Sequence, residues 1–201
     1  MEESTTELIR RILTDNPKKT VVDSSLTPAG VTLLLYPKDG EYCILLNKRT
    51  DTVDDHKGEI SFPGGRKDPA DKTLLDTALR ETQEEMGISP DDVDVLGEID
   101  DIATNTSYLI STFVGTIPYP YKFAPSEAEV AEVLEVPIST LMDYNSARDE
   151  VRVRDGELVN SVSYSYDGHL IFGATARILS RFLELLDTAP EREAPWKSVR
   201  I

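Results

Sequence analysis

Residues 73–87 constrain this chain more than any other stretch. Thr73 or Asp71 can cap the start of an apolar-periodic run, and Gly87 stands just past its end, so a helix is expected from about Thr73 to Met86. On a wheel that advances roughly 100° per residue, Leu74, Leu75, Ala78, Leu79, Thr82 and Met86 fill one arc, the face expected to be buried. Glu85 falls inside that arc, Glu81 at its border and Glu84 outside it. Glu81 and Glu85 are also one turn apart, so their side chains are neighbours. Two like charges with one of them withdrawn from water are unfavourable unless compensated. A divalent cation would compensate them. Carboxylate oxygens suit Mg²⁺ or Mn²⁺, which keep several waters and take further ligands from substrate phosphates. The competing reading is a solvated acidic face neutralised by Arg80 and nearby bases.

The rest of the chain supplies a sheet for this helix to cover. Ser4-Thr5-Thr6-Glu7 is a capping box ahead of a stripe formed by Leu8, Ile9, Ile12 and Leu13. A polar loop over 14–28 separates that helix from strand-like runs at Ala29–Tyr36 and Glu41–Arg49, joined by the hairpin signal Asp39-Gly40. Residues 50–72, rich in Asp, Gly and Pro, read as one long loop of the kind that usually carries function. Beyond the acidic helix, strands are expected at Val93–Ile99, Leu109–Ile117, Glu132–Val136, Val151–Arg154, Leu158–Tyr166 and Leu170–Phe172, with Asp167-Gly168 turning the last pair. Ile138–Tyr144 reads as a short helix and Ala174–Leu186 as a long one. Helices interleaved with a larger number of strands predict an α/β (α+β) fold, with a mixed sheet covered on both faces. From Asp187 the chain is polar and reads as a flexible tail, in which Trp196 is the residue able to dock.

Composition narrows the function. Asp and Glu number 37 against 21 Lys and Arg, a net charge of −16, which works against nucleic acid and anionic membranes as partners. The acidic residues are spread along the chain, which suits a soluble surface or a salt-rich cytosol. No apolar run approaches the roughly 18 residues of a membrane span, and the acidic, polar start lacks the features of a secretory signal. One cysteine, Cys43, and two histidines, His56 and His169, speak against a disulfide framework and a His- or Cys-built metal centre. A cytoplasmic protein is expected. Cys43 alternates with Leu45 and reads as core, and neither histidine is expected to be catalytic.

Just upstream of the acidic helix lies Phe62-Pro63-Gly64-Gly65-Arg66. Adjacent glycines allow close approach of a ligand to the backbone. Their N–H groups could meet phosphate and a carbonyl could meet a cation. By itself Pro-Gly-Gly is a turn; beside an acidic helix it reads as a phosphate cradle.

These residues carry a resemblance. Gly65 followed by Arg80-Glu81-Thr82-Gln83-Glu84-Glu85-Met86-Gly87-Ile88 is similar to the Nudix box, G-x5-E-x7-R-E-U-x-E-E-x-G-U, with U a bulky aliphatic. Thr82 departs from the first U. The upstream half fits after one inserted residue, which aligns Asp71 with the upstream Glu. Leu45-Leu46-Asn47-Lys48-Arg49-Thr50, Gly58 and Phe62-Pro63-Gly64-Gly65 resemble the pattern LLT-x-R-[SA]-x3-R-x3-G-x3-FPGG of the coenzyme A pyrophosphatase group within that family. Asn47, Thr50 and Asp54 depart from it, Asp54 with a reversal of charge. Glu135-Val136-Pro137-Ile138 and Phe172-Gly173-Ala174-Thr175-Ala176-Arg177 also resemble this group.

The resemblance implies a Nudix-like α/β/α sandwich over 29–186, preceded by an N-terminal helix and loop over 1–28 and followed by the tail 187–201. It implies metal-dependent hydrolysis of a nucleoside diphosphate derivative, most of all coenzyme A or acyl-CoA. ADP-ribose, NADH or nucleoside triphosphates are the alternative substrates, and a non-catalytic nucleotide-binding module is the alternative role. Glu81, Glu85 and Glu84 are the implied ligands of Mg²⁺ or Mn²⁺. Glu81, Glu84 and Arg80 are the implied catalytic set, with Arg80 holding a carboxylate rather than touching substrate. Arg49, Gly64, Gly65 and Arg66 are the implied substrate contacts, and a surface ion pair is the other reading of Arg49. Glu127 and Glu129 are candidates for the general base, or simply acidic loop residues. Tyr108, Tyr119 and Tyr121 are candidates to stack on a base, or ordinary packing. The partner expected is a small nucleotide, and a homodimer is left open.

Overall fold

The computed structural model describes residues 4–52, 56–143, 145–154, 157–190 and 196. Its elements are α1 (Thr5–Asp15), β1 (Thr27–Lys38), β2 (Glu41–Arg49), β3 (Ile60–Ser61), β4 (Gly64–Arg66), α2 (Leu74–Met86), β5 (Asp94–Ala103), β6 (Tyr108–Thr116), β7 (Val130–Pro137), α3 (Ile138–Met142), β8 (Ala147–Arg154), β9 (Glu157–Tyr166), β10 (His169–Ile171) and α4 (Gly173–Asp187). Asp54, Tyr144 and most of the tail lie outside the described residues.

Among the described residues, seven strands form one sheet, with β3-β2-β1-β6-β5 in order, β4 added to β1 and β7 to β2. β1 and β6 are parallel and the other pairings are antiparallel, so the sheet is mixed. β8, β9 and β10 make a second, three-stranded sheet. β1 is buried without a break from Ala29 to Tyr36, as expected of a strand covered on both sides. Its alternate residues divide between two cores. Val31, Leu33 and Leu35 join Leu8, Ile9, Ile12 and Leu13 of α1 and Ile178, Leu179 and Phe182 of α4, with Ile138 of α3. Leu34 and Tyr36 join Cys43, Leu45, Met86 and Ile88 on the opposite face. The helices therefore sandwich the sheet, α2 on one side and the others on the second.

The long loop over 50–72 contains two short strands that the pattern did not reveal. β3 and β4 are two and three residues long, too short to show alternation, and they are held by backbone pairing to β2 and β1. This pairing lays the Gly64-Gly65 strand along the middle of the sheet. α2 then approaches β1 closely, because a Cβ at Gly30 would collide with the Leu74 carbonyl. Trp196 is buried in the larger core with Ala189.

Candidate active site

Thr73 caps α2: its hydroxyl accepts from the Asp76 N–H while the Asp76 carboxylate accepts from the Thr73 N–H. Gly87 closes the helix in a left-handed conformation. The buried residues are Thr77, Ala78, Thr82, Glu85 and Met86, whereas Leu74, Leu75 and Leu79 are half-exposed. The buried face keeps Ala78, Thr82, Glu85 and Met86 where the wheel sets them and adds Thr77. It is also polar. Thr82 donates to the Ala78 carbonyl at 2.7 Å and shares a hydrogen bond with Thr32 of β1 at 2.7 Å, so the hydroxyl at this position of the box is satisfied.

Glu85 is 2% exposed. Its Oε2 accepts from Asn47 Nδ2 at 2.9 Å and from the Gly64 N–H at 3.1 Å, and Arg49 lies 3.5 Å from Oε1. Burial nevertheless outweighs these contacts and pushes the carboxyl up to about 7, with the Glu81 charge adding to the rise. Glu81 rests against the Gly64-Gly65 strand; a Cβ at Gly65 would stand 2.5 Å from its Cδ. Burial raises this carboxyl too, against the favourable contact with Arg80 at 2.9 Å, and Glu84 and Glu129 push in the same direction as burial.

Arg80 is committed to the protein. Its Nε and Nη2 donate to the two oxygens of Asp71 at 3.1 and 3.0 Å, Nη1 lies 2.9 Å from both Glu81 and Glu84, and Nη2 also donates to the Arg66 carbonyl at 3.4 Å. The Arg80 hydrogen bonds hold Asp71 well below the usual carboxylate range. Asp71 also accepts from Thr77 Oγ1 and the Asp68 N–H, so it is the hub that ties the turn before α2 to the helix. Glu84 is exposed, with Arg80 as its neighbour.

A cavity of about 390 Å³ opens beside these groups. Arg49, Gly64, Gly65 and Arg66 line it together, as do Tyr108 and, across from them, Phe172 and Thr175 at the start of α4. His56 stands at its wall, 2.9 Å from Glu59. Tyr119 and Tyr121 are elsewhere: Tyr119 stacks on Tyr36 with ring centres 5.1 Å apart, and Tyr121 donates to Asp92 at 2.7 Å. The segment after β6 docks on the end of α2, where the Ala124 and Ser126 N–H groups donate to the Met86 and Glu85 carbonyls at 2.9 Å. This brings half-buried Glu129 into the field of Glu81 and leaves Glu127 exposed. His169 pairs with Glu132 at 3.3 Å.

The three glutamates do not form a ready-made cage. Among the described residues, no three acidic, His or Cys side chains converge tightly enough to hold a metal ion. Arg80 draws Glu81 and Glu84 to itself, and Glu85 is turned towards Asn47 and Gly64. What remains is a pair of carboxylates, Glu81 and Glu85, with raised proton affinity and mutual repulsion; neither lines the cavity, but they contact Gly65, Gly64 and Arg49, which do. That oxygen donor set fits a hydrated divalent cation that takes few protein ligands.

The comparisons with known proteins agree with this architecture. The NUDIX domain model matches residues 26–159. The chain is 36% identical over 141 residues to a protein of Photorhabdus laumondii named "Uncharacterized Nudix hydrolase NudL", covering 70% of this chain and 75% of that one.

The chain belongs to the Nudix hydrolase family.

A second NudL, from Yersinia enterocolitica, is 33% identical over 145 residues, covering 72% of this chain and 74% of its own. Among solved structures, the Nudix hydrolase RenU of M. smegmatis superposes with a TM-score of 0.55 at 20% identity, covering 82% of this chain and 88% of that one, a likeness of fold. The protein is therefore an enzyme, a pyrophosphohydrolase, and the helix with Glu81, Glu84 and Glu85 lies within the matched region.

Two residues in the hydrogen-bond chain behind Glu85 had no role in the sequence pattern. Asn47 stood out only as a departure from a pattern, and Ser61 not at all. No signal short of the β2–β3 register places Ser61 beside Asn47.

Proposed function

We propose that this Nudix hydrolase cleaves the diphosphate bond of coenzyme A or acyl-CoA, giving adenosine 3′,5′-bisphosphate and 4′-phosphopantetheine, with Mg²⁺ or Mn²⁺ as cofactor. The observation that carries this reading is that Gly64, Gly65 and Arg49, which line the cavity, are also the residues against which the carboxylates of Glu81 and Glu85 pack. A diphosphate there would meet the Arg49 guanidinium on one side and a cation-binding pair on the other, while the Gly64 N–H stays with Glu85. The preference for coenzyme A rests on the stretch Leu45–Gly65, whose Arg49, Gly64 and Gly65 line the cavity.

Glu81 and Glu85 would hold the cation, with Glu84 as a further ligand once released from Arg80. The bound cation supplies charge neutralisation of the phosphoryl oxygens and a water of lowered pKa. Arg80 orients Glu81 and Glu84 from behind, anchored by Asp71. Arg49 and Arg66 face the substrate phosphates. Glu129, through its proximity to Glu81, is the better placed of the two candidate bases; Glu127 is turned to solvent. The cation also answers an electrostatic difficulty, since a chain of net charge −16 repels an anionic substrate until the local field is reversed.

The test is a panel of coenzyme A, acyl-CoA, ADP-ribose, NADH and nucleoside triphosphates, each with Mg²⁺, with Mn²⁺ and with excess chelator. Release of adenosine 3′,5′-bisphosphate from coenzyme A, dependent on the cation, is expected. Faster turnover of ADP-ribose or NADH would replace coenzyme A as substrate, and turnover that persists in excess chelator would remove the cation from the mechanism.

A further inference from the structure

The contacts behind Glu85 are more specific than charge compensation requires. Asn47 is 1% exposed near the end of β2, and strand pairing sets it directly opposite Ser61 of β3. Ser61 Oγ donates to Asn47 Oδ1 at 2.7 Å, and Asn47 Nδ2 donates to Glu85 Oε2 at 2.9 Å. The direction of this chain is fixed by its far end. Glu85 Oε2 also receives the Gly64 N–H, so it acts as an acceptor and requires the NH₂ edge of the amide. The amide carbonyl is then left facing Ser61, whose hydroxyl must donate. Without that hydroxyl, the amide could turn its carbonyl towards the carboxylate, where two acceptors would repel.

We propose that Ser61 and Asn47 form a positioning chain that commits Oε2 of Glu85 to the protein, so that Oε1, faced by the Arg49 guanidinium at 3.5 Å, is the oxygen a divalent cation would take. This inference rests on the reading of Glu81 and Glu85 as the cation-binding pair. It assigns a role to a residue at which this chain departs from the pattern it resembles. Threonine, the residue of that pattern, could donate to Glu85 but is shorter and carries no separate carbonyl for Ser61 to fix. Outer partners of ligating groups typically carry about 10- to 100-fold of metal affinity.

The probe is Mn²⁺ alone, titrated into chelator-stripped protein and followed by the electron paramagnetic resonance signal of the free ion. Asn47→Leu is expected to weaken Mn²⁺ binding by about tenfold or more, Ser61→Ala by a smaller factor of about three to ten, and Asn47→Thr less than Asn47→Leu. Turnover in these variants should need more Mn²⁺ for half-maximal rate while the rate at saturating Mn²⁺ changes far less. A purely structural role would lower the melting temperature without moving the Mn²⁺ titration. A folded Asn47→Leu protein that binds Mn²⁺ like the wild type overturns the inference. Should Asn47→Leu not fold, Ser61→Ala decides in the same way. Wild-type protein that neither binds Mn²⁺ nor hydrolyses any diphosphate of the panel overturns the underlying reading instead.

Discussion

Helices α2 and α4 cover opposite faces of one sheet, yet they are buried by different means. α4 meets the sheet with Ile178, Leu179, Phe182, Leu185 and Leu186, all apolar and nearly inaccessible. α2 meets it with Thr77, Ala78, Thr82, Glu85 and Met86, and its leucines are left half-exposed. The apolar seam gains stability roughly in proportion to the area it removes from water. The polar seam gains little, because every buried hydroxyl, amide and carboxylate must first recover what it lost in leaving water. Its contacts fix directions instead: Thr82 to Thr32, Asn47 to Glu85, Arg80 to Asp71. One face of the sheet gains its stability from apolar burial and the other holds the charges, and the cavity runs between them, lined by Thr175 and Ile178 of α4 as well as by Gly64 and Gly65.

The comparison breaks most visibly at Glu85. Glu85→Gln keeps an acceptor for Asn47 and Gly64 but removes the charge, so hydrolysis should fall by about a thousandfold or more, a loss of several kcal/mol in transition-state stabilisation. Thermal melting should be unchanged or higher, because an unfavourable buried charge is gone. A melting temperature that drops steeply would make Glu85 structural and erase the distinction between the two seams.

The converse experiment is Phe182→Ala on α4, where a fully buried ring is removed. Chemical denaturation should show a loss of about 3–5 kcal/mol. The fraction that remains folded should keep its specific activity, since the ring lies on the far side of the sheet from Glu85.

Acidity separates the seams a third way. Glu85 is raised from 4.5 to about 7, so the folded protein holds a proton that the unfolded chain sheds between those values. Its contribution to stability is present at low pH and is lost as the pH rises through about 7. In excess chelator the protein should therefore melt at a lower temperature at about pH 8 than at about pH 5.5, by the equivalent of at most about 2 kcal/mol. Glu85→Gln should flatten this dependence. A profile equally steep in that variant would assign the effect to other groups.

The smallest effect expected is the coupling of Thr32 and Thr82. Either Thr→Val change alone leaves the partner hydroxyl poorly satisfied and should destabilise by about 1–2 kcal/mol. The double change removes both hydroxyls and should destabilise by less than the two single losses added together, with a coupling of about 1 kcal/mol in a double-mutant cycle. Strict additivity would mean the pair does not act as a unit.

What could be read from the sequence was local. Ser4 caps α1 as its motif foretold, Thr73 is the one of the two candidates that caps α2, Gly87 ends α2, and the Asp39-Gly40 and Asp167-Gly168 turns join the strands they separate. These features are encoded within a few consecutive residues, where backbone geometry and side-chain hydrogen bonding leave few choices. The box glutamates were equally legible, because one turn of helix sets their spacing. The partial exposure of the α2 leucines and the two short strands inside the long loop were not, and Trp196 was legible only as a residue able to dock. Each depends on where a distant surface lies rather than on any local period. The same holds for the environment of Glu85. Asn47 is 38 residues away along the chain, and Ser61 and Gly64 reach it only after β3 and β4 have paired with the sheet. Sequence determined which groups could carry charge and chemistry. Tertiary structure decided which of them would be desolvated, which would be held by arginine and which oxygen of Glu85 the protein's own donors would take, because burial and register are properties of the assembled sheet.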